Sequence, residues 1–276
     1  MLQDIQPYQF DNHFQPHEAL PEDLVLFFCD GKIFVREDNP LTFPSVRDCP
    51  NWNSSNPYLF SISGHSFFLS LLTCEEEVPL SGSFLSLGQL RMAQPAWLAF
   101  AALVGFHLGQ WYLDNRFCGK CGSEMEYGTK ERVLCCPHCG QLVYPRINPA
   151  VIVGVRDGER LLLTKYASAN AYKHYALVAG FTEIGETIED TVAREVFEET
   201  GLHVTNITFY KSQPWPLSSS LLMGFFCDLD GSDQIVLQED ELSVAQWFFR
   251  DEVPLRDDNI SLTGEMMCAF VERKDP

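Results

Sequence analysis

Residues 180–202 read GFTEIGETIEDTVAREVFEETGL, and this stretch sets the frame for the rest of the chain. Thr187 followed by Asp190 has the form of a capping box, and Gly201 stands where helices stop in the left-handed conformation, so 188–200 is expected to be helical. Ile188, Val192, Ala193 and Val196 can then face a core. That leaves Glu195, Glu198 and Glu199 gathered on another side around Arg194. Like charges three or four positions apart share a helix face and repel by roughly 0.2–0.5 kcal/mol per pair, so something must offset them. One reading is a solvated acidic face, the usual meaning of a charge run. The other is a cluster for a hard divalent cation such as Mg2+, which takes oxygen ligands and grips substrate phosphates.

The helix belongs to a strand-rich region. Upstream, AVIVGV, the turn Arg156-Asp157-Gly158-Glu159 and RLLLTKY read as strand, hairpin turn and strand. Downstream, VTNITFYKS, SLLMGFFCDL and AQWFF are further strands, and a last helix is expected over 262–273. Strands interleaved with two helices in this order imply a mixed sheet with a helix on each face.

The chain has 276 residues, enough for two domains and a small module. With 46% hydrophobic and 21% charged residues it reads as globular. A formal net charge of -19 argues against broad nonspecific binding to nucleic acid or to an anionic membrane, because the long-range field repels both. The start, MLQDIQPYQFDNHF, has neither the basic region nor the apolar core of an export signal, and the final ERKDP is not of the S-K-L type, so a cytoplasmic location is expected. The most apolar stretch, AWLAFAALVGFHL at 96–108, is too short for a bilayer and runs on to Gln110 and Asp114, so a buried amphipathic helix and no membrane association are expected.

Residues 1–114 contain two hairpin-like stretches, LFFCDGKIFV around Asp30-Gly31 and PYLFSISGHSFFLSLL around Gly64, closed by the apolar helix at 96–113. This region carries no catalytic motif. It reads as a scaffold or dimerisation element, with part of a substrate pocket as the alternative.

Between these regions lies FCGKCGSEMEYGTKERVLCCPHCG. Of ten cysteines, Cys118, Cys121, Cys136 and Cys139 form two CxxC knuckles, each followed by glycine, which brings four thiolates to the corners of a tetrahedral zinc site. Redox-active CxxC pairs are the competing reading. Spacing from Cys139 favours Cys136 over its neighbour Cys135, and His138 is expected on the surface. Four sulfur ligands leave zinc no open position, so its expected job is to fold a segment too small for a core.

The helix region carries more than spacing. Gly180, Glu186, Arg194, Glu195, Val196, Glu198, Glu199, Gly201 and Leu202 fill all nine specified sites of G-x5-E-x7-R-E-U-x-E-E-x-G-U, U being a bulky aliphatic residue. The chain thereby resembles a Nudix hydrolase. The resemblance implies an α/β/α sandwich and hydrolysis of a nucleoside diphosphate linked to another moiety. It also implies Mg2+ or Mn2+ held by Glu195, Glu198 and Glu199, with Glu199 ranked first as base. Arg194 would orient the carboxylates, Gly180 would allow a tight turn before the helix, and Glu186 would be a further ligand or a structural partner.

SQPWPLSSS at 212–220 is similar to the S-Q-P-W-P-F-P-x-S motif of the NADH pyrophosphatase subfamily, departing at Leu217 and Ser218. That subfamily also carries a four-cysteine zinc ribbon directly before its Nudix domain, and Tyr144-Pro145-Arg146 and Ala179-Gly180-Phe181 resemble its members. The fold class expected is therefore α+β, with an N-terminal β-rich domain at 1–114, a zinc ribbon at 115–145 and a Nudix domain at 146–276. The resemblance implies cleavage of NAD(H) into AMP and nicotinamide mononucleotide by a homodimer, and some relatives also remove NAD caps from RNA. Phe181 and Tyr144 would stack a ring and Gln213 would supply a donor and an acceptor. Ser220 completes the motif, and Trp215 would be platform or core. Glu241 would add a metal ligand, or is an isolated surface acid. For RNA, only 116–145 has a positive excess, four basic against three acidic residues. The alternatives are another nucleotide substrate such as ADP-ribose, or an inactive zinc-ribbon binding protein.

Overall fold

The structure, a computed structural model, describes residues 1–50, 52–71, 80–167, 174–237, 242–255 and 260–276. It divides into two compact units, Leu2–Arg146 and Ile147–Pro276 with Met1. The second is built of β1 (Asn148–Asp157), β2 (Arg160–Tyr166), β3 (Val178–Phe181), α1 (Ile188–Thr200), β4 (His203–Trp215), β5 (Ser220–Asp230), β6 (Leu242–Phe249) and α2 (Leu262–Val271). The sheet runs β4-β5-β1-β2-β6. It is mixed as expected: β1 pairs with β5 in parallel and β2 pairs antiparallel with β6. The long β1 divides one edge between two partners. Its end forms the expected hairpin with β2 at Asp157↔Arg160, and its first half pairs with β3, Val151 opposite Gly180 and Ala150 opposite Phe181.

Alternation along the strands assigns the two faces. Val151, Val153 and Val155 pack with Leu162, Phe225, Cys227 and, from α1, Val192 and Val196. Ile152 points the other way, into a core with Leu161, Leu163, Phe226 and, from α2, Leu262, Met266 and Phe270. A period of two along each strand thus buries one helix on each face, the sandwich expected from the sequence.

In the other unit, both expected hairpins form: Leu24–Cys29 pairs with Lys32–Val35, and Tyr58–Ile62 with His65–Ser70. They join Phe10–Asp11 and Ser83–Ser86 in a six-stranded sheet. The apolar helix spans Ala96–Asp114, longer than the stretch read as too short for a bilayer. By length and composition it could cross one, and 61% of its apolar window is buried within the protein. It also departs from the amphipathic reading, since six consecutive residues, Leu98 to Leu103, are buried and so enclose it on several sides.

Candidate active site and zinc site

The zinc site is assembled from two matched turns. The amide of Gly122 donates to the Cys118 carbonyl at 2.8 Å and that of Gly140 to the Cys136 carbonyl at 3.0 Å. The four Sγ atoms lie within 4.8 Å of one another, with Cys118–Cys139 at 3.6 Å and Cys121–Cys136 at 3.4 Å. Tetrahedral zinc with bonds of about 2.3 Å separates its sulfurs by about 3.8 Å, so the donors fit the ion. Cys135 lies outside the set, in the short strand Leu134–Cys135 of a three-stranded sheet, and His138 is exposed as expected. Among the described residues, these cysteines are the one group of potential ligands that converges so closely.

The acidic helix has the expected boundaries. Thr187 caps it, its hydroxyl accepting from the Asp190 amide while Asp190 reaches back, and Gly201 ends it at φ 70°. Val192 and Val196 are fully buried, Ile188 packs at the edge of the same core and Ala193 is half-buried. The offset to the crowded charge is Arg194. Its Nε donates to Glu186 Oε1 at 2.5 Å and its Nη2 to Glu186 Oε2 at 2.9 Å. Nη1 donates to both Glu195 and Glu198 at 2.8 Å, and Nη2 also reaches the Phe181 carbonyl at 2.9 Å. A planar fork with five donors suits this arrangement, whereas an ammonium group does not. These bonds, with the Glu183 amide next in weight, hold the Glu186 carboxyl down to about 2. Glu186 in turn raises the pKa of Arg194.

Gly180 has a different role from the expected one. It lies within β3, and the tight turn before the helix falls at Gly185, φ 97°. A Cβ on Gly180 would overlap the Glu195 carboxylate. The glycine therefore makes room for a side chain of α1 to lie against the backbone of β3. Spacing along the motif cannot reveal that contact.

Glu198 is exposed, while Glu199 is only 3% exposed. The helix thus carries carboxylates from the solvent edge to the interior within two residues. Their oxygen donors match the chemistry of hard divalent ions, although they do not converge as tightly as the cysteines. Glu241 lies outside the described residues.

The residues expected at the nucleotide divide. Phe181 is 52% exposed with its carbonyl tied to Arg194, and Trp215 is half-buried. Tyr144 belongs to the other unit, where its exposed ring donates from the hydroxyl to Glu131 at 3.0 Å. Gln213, expected to offer the nucleotide a donor and an acceptor, is 0% exposed, and both ends of its amide are used: Nε2 donates to the Ile260 carbonyl at 2.8 Å and Oε1 accepts from the Leu262 amide at 2.7 Å. Ser220 is also buried. Its hydroxyl donates to the Ser218 carbonyl at 3.0 Å and meets the Ser218 hydroxyl at 2.9 Å. One departure from the specificity motif, Ser218, thus supplies a partner for Ser220.

A family model of the NUDIX domain matches residues 146–270, and one of the NADH pyrophosphatase zinc ribbon domain matches 113–144. The NAD-capped RNA hydrolase NudC of Pseudomonas aeruginosa is 33% identical over 277 residues, covering 94% of this chain and 93% of its own. The chain belongs to the Nudix hydrolase family. NudC of Chromobacterium violaceum is 35% identical, covering 87% of this chain and 88% of its own. Among solved structures, a Nudix hydrolase from Nitrosomonas europaea is 26% identical and covers 57% of this chain and 92% of its own, with a TM-score of 0.49. The Nudix residues and the four-cysteine ribbon therefore occur together, in the order expected for the subfamily.

Proposed function

We propose that this Nudix hydrolase cleaves the pyrophosphate of NAD(H), giving AMP and nicotinamide mononucleotide, and that it also removes NAD caps from RNA. The observation that carries the reading is the Arg194 clamp, which orients Glu186, Glu195 and Glu198 beside the buried Glu199. Similarity over nearly the full chain to enzymes named NAD-capped RNA hydrolase supports the substrate class.

Glu195, Glu198 and Glu199, with Glu241 as a further candidate, would hold Mg2+ or Mn2+, and such an ion neutralises pyrophosphate charge and acidifies water. Arg194 keeps the carboxylates in place without occupying the substrate. Glu199 is the foremost candidate to take the proton of the attacking water, whose oxygen ends on one phosphate while the bridging oxygen leaves with the other. The exposed face of Phe181 offers a stacking surface for a flat ring, with Trp215 as a further candidate. Gln213 and Ser220, both buried, shape the site through the backbone. The active form is a homodimer located in the cytoplasm.

ADP-ribose is the alternative substrate, because Leu217 and Ser218 depart from the motif that marks selectivity for NADH. Purified protein incubated with NADH and Mg2+ or Mn2+, followed by product separation, tests the main reading. AMP and reduced nicotinamide mononucleotide are expected in equal amounts. Their absence with both metals, alongside turnover of ADP-ribose, would overturn it in favour of the second substrate.

A further inference from the structure

Gln213 lies at the end of a row of residues that crosses four strands. Phe181 of β3 is opposite Ala150 of β1, Ala150 opposite Leu222 of β5, and Leu222 opposite Gln213 of β4. Ala179 and Leu222 pack on the α2 side, and the two-residue period places Phe181 on that side with Ala179. Gln213 joins them there through its bonds to Ile260 and Leu262, at the start of α2. At about 4.8 Å between strands, three strand spacings set Phe181 and Gln213 roughly 14 Å apart. Phe181, exposed at one end of the row, and the first turn of α2, held over the other end by Gln213, thus lie on the same face of the sheet.

The first turn of α2 packs on the sheet through Leu262, which is fully buried in that core. Ser261 is the N-cap, its hydroxyl accepting from the Gly264 amide at 3.3 Å. The Gln213 side chain reaches both neighbours of that cap, accepting from the residue after it and donating to the residue before it. A buried amide satisfied at both ends is costly to disturb, because either loss strands a polar group away from water. Glutamate has nearly the same shape but would put an acceptor against the Ile260 carbonyl, and leucine would satisfy neither end.

We propose that Gln213 is a positioning residue that brackets the main chain on either side of Ser261, fixing the first turn of α2 on the sheet face that carries Phe181, where the nucleotide ring stacks. It touches neither the pyrophosphate nor the carboxylates of α1. The role rests on the NAD(H) reading for its substrate, but the bracket itself does not.

The test compares wild type with Q213L and Q213E in two measurements. Steady-state kinetics with NADH should show KM raised roughly tenfold or more and kcat within about threefold of wild type, the signature of lost binding common to ground and transition states. Hydrogen exchange should show faster exchange at the Leu262 amide in Q213L, while Val192 and Val196 in α1 stay protected. A fall in kcat with unchanged KM would overturn the proposal, as would wild-type KM together with unchanged exchange at Leu262. If the variants are too unstable for kinetics, AMP affinity of Q213E measured by calorimetry at low temperature decides: roughly tenfold weaker binding supports the role and equal binding overturns it. Should wild type fail to hydrolyse NADH, the substrate reading falls separately, and exchange with AMP binding still decides the bracket.

Discussion

Replacing Gly180 with alanine separates space from backbone freedom. Gly180 sits in a strand and has no positive φ, so alanine is compatible with its backbone. By itself that exchange stabilises by about 0.4–1 kcal/mol, through a more restricted unfolded chain. The added Cβ, however, falls on the Glu195 carboxylate. If Glu195 swings away, its bond to Arg194 at 2.8 Å is lost, a charge-assisted bond worth about 1.5–3 kcal/mol. If β3 moves instead, its pairing at Val151↔Gly180 is strained. The net expectation for G180A is destabilisation by about 1–2 kcal/mol, together with a large fall in turnover per folded molecule. The control is G185A, at φ 97° with no atom near the new Cβ. There the left-handed backbone alone costs roughly 1–2 kcal/mol, and Glu195 is left in place. Urea denaturation read with hydrolysis rates checks the pair. The reasoning is refuted if G180A matches wild type in both, or if G185A loses activity per folded molecule as severely as G180A.

R194K should keep the positive charge but lose the fork that reaches three carboxylates and a carbonyl, so turnover should fall roughly 10- to 100-fold, as for losses of groups that orient ligands; near-wild-type rates would contradict the clamp. Because Glu186 is held down to about 2 from an ordinary 4.5, its contribution to stability is fully present above about pH 4.5 and is lost as pH falls toward 2. E186Q should remove that acid sensitivity from a set of urea midpoints taken across the range. C136S should lose bound zinc and unfold the ribbon, while C135S should keep one zinc per chain; metal content and limited proteolysis distinguish these outcomes.

The α1 boundaries, the zinc ligands and the three hairpins were legible because each depends on local chemistry: a cap three residues from its partner, a knuckle of four, a turn between apolar runs. Contacts between elements left no such trace. Gly180 stands in the motif beside residues that turn, but its requirement comes from Glu195, fifteen positions away and folded back against it. Gln213 carries an amide suited to a ligand, and only the packing of α2 over β4 commits both ends to main chain. The helix at 96–114 looks amphipathic when its polar residues are weighted, yet neighbouring strands bury six consecutive residues. Face and partner are set by tertiary structure, which residue type and spacing do not encode.

The measurement closest to the central claim is NADH turnover by a variant with Glu198 and Glu199 both changed to glutamine, its fold checked by circular dichroism and its zinc content by metal analysis. Carboxylates that hold a divalent ion against a pyrophosphate predict a loss of roughly 100-fold or more at saturating Mg2+ or Mn2+, with zinc unchanged. A folded variant turning over NADH at the native rate would contradict the account.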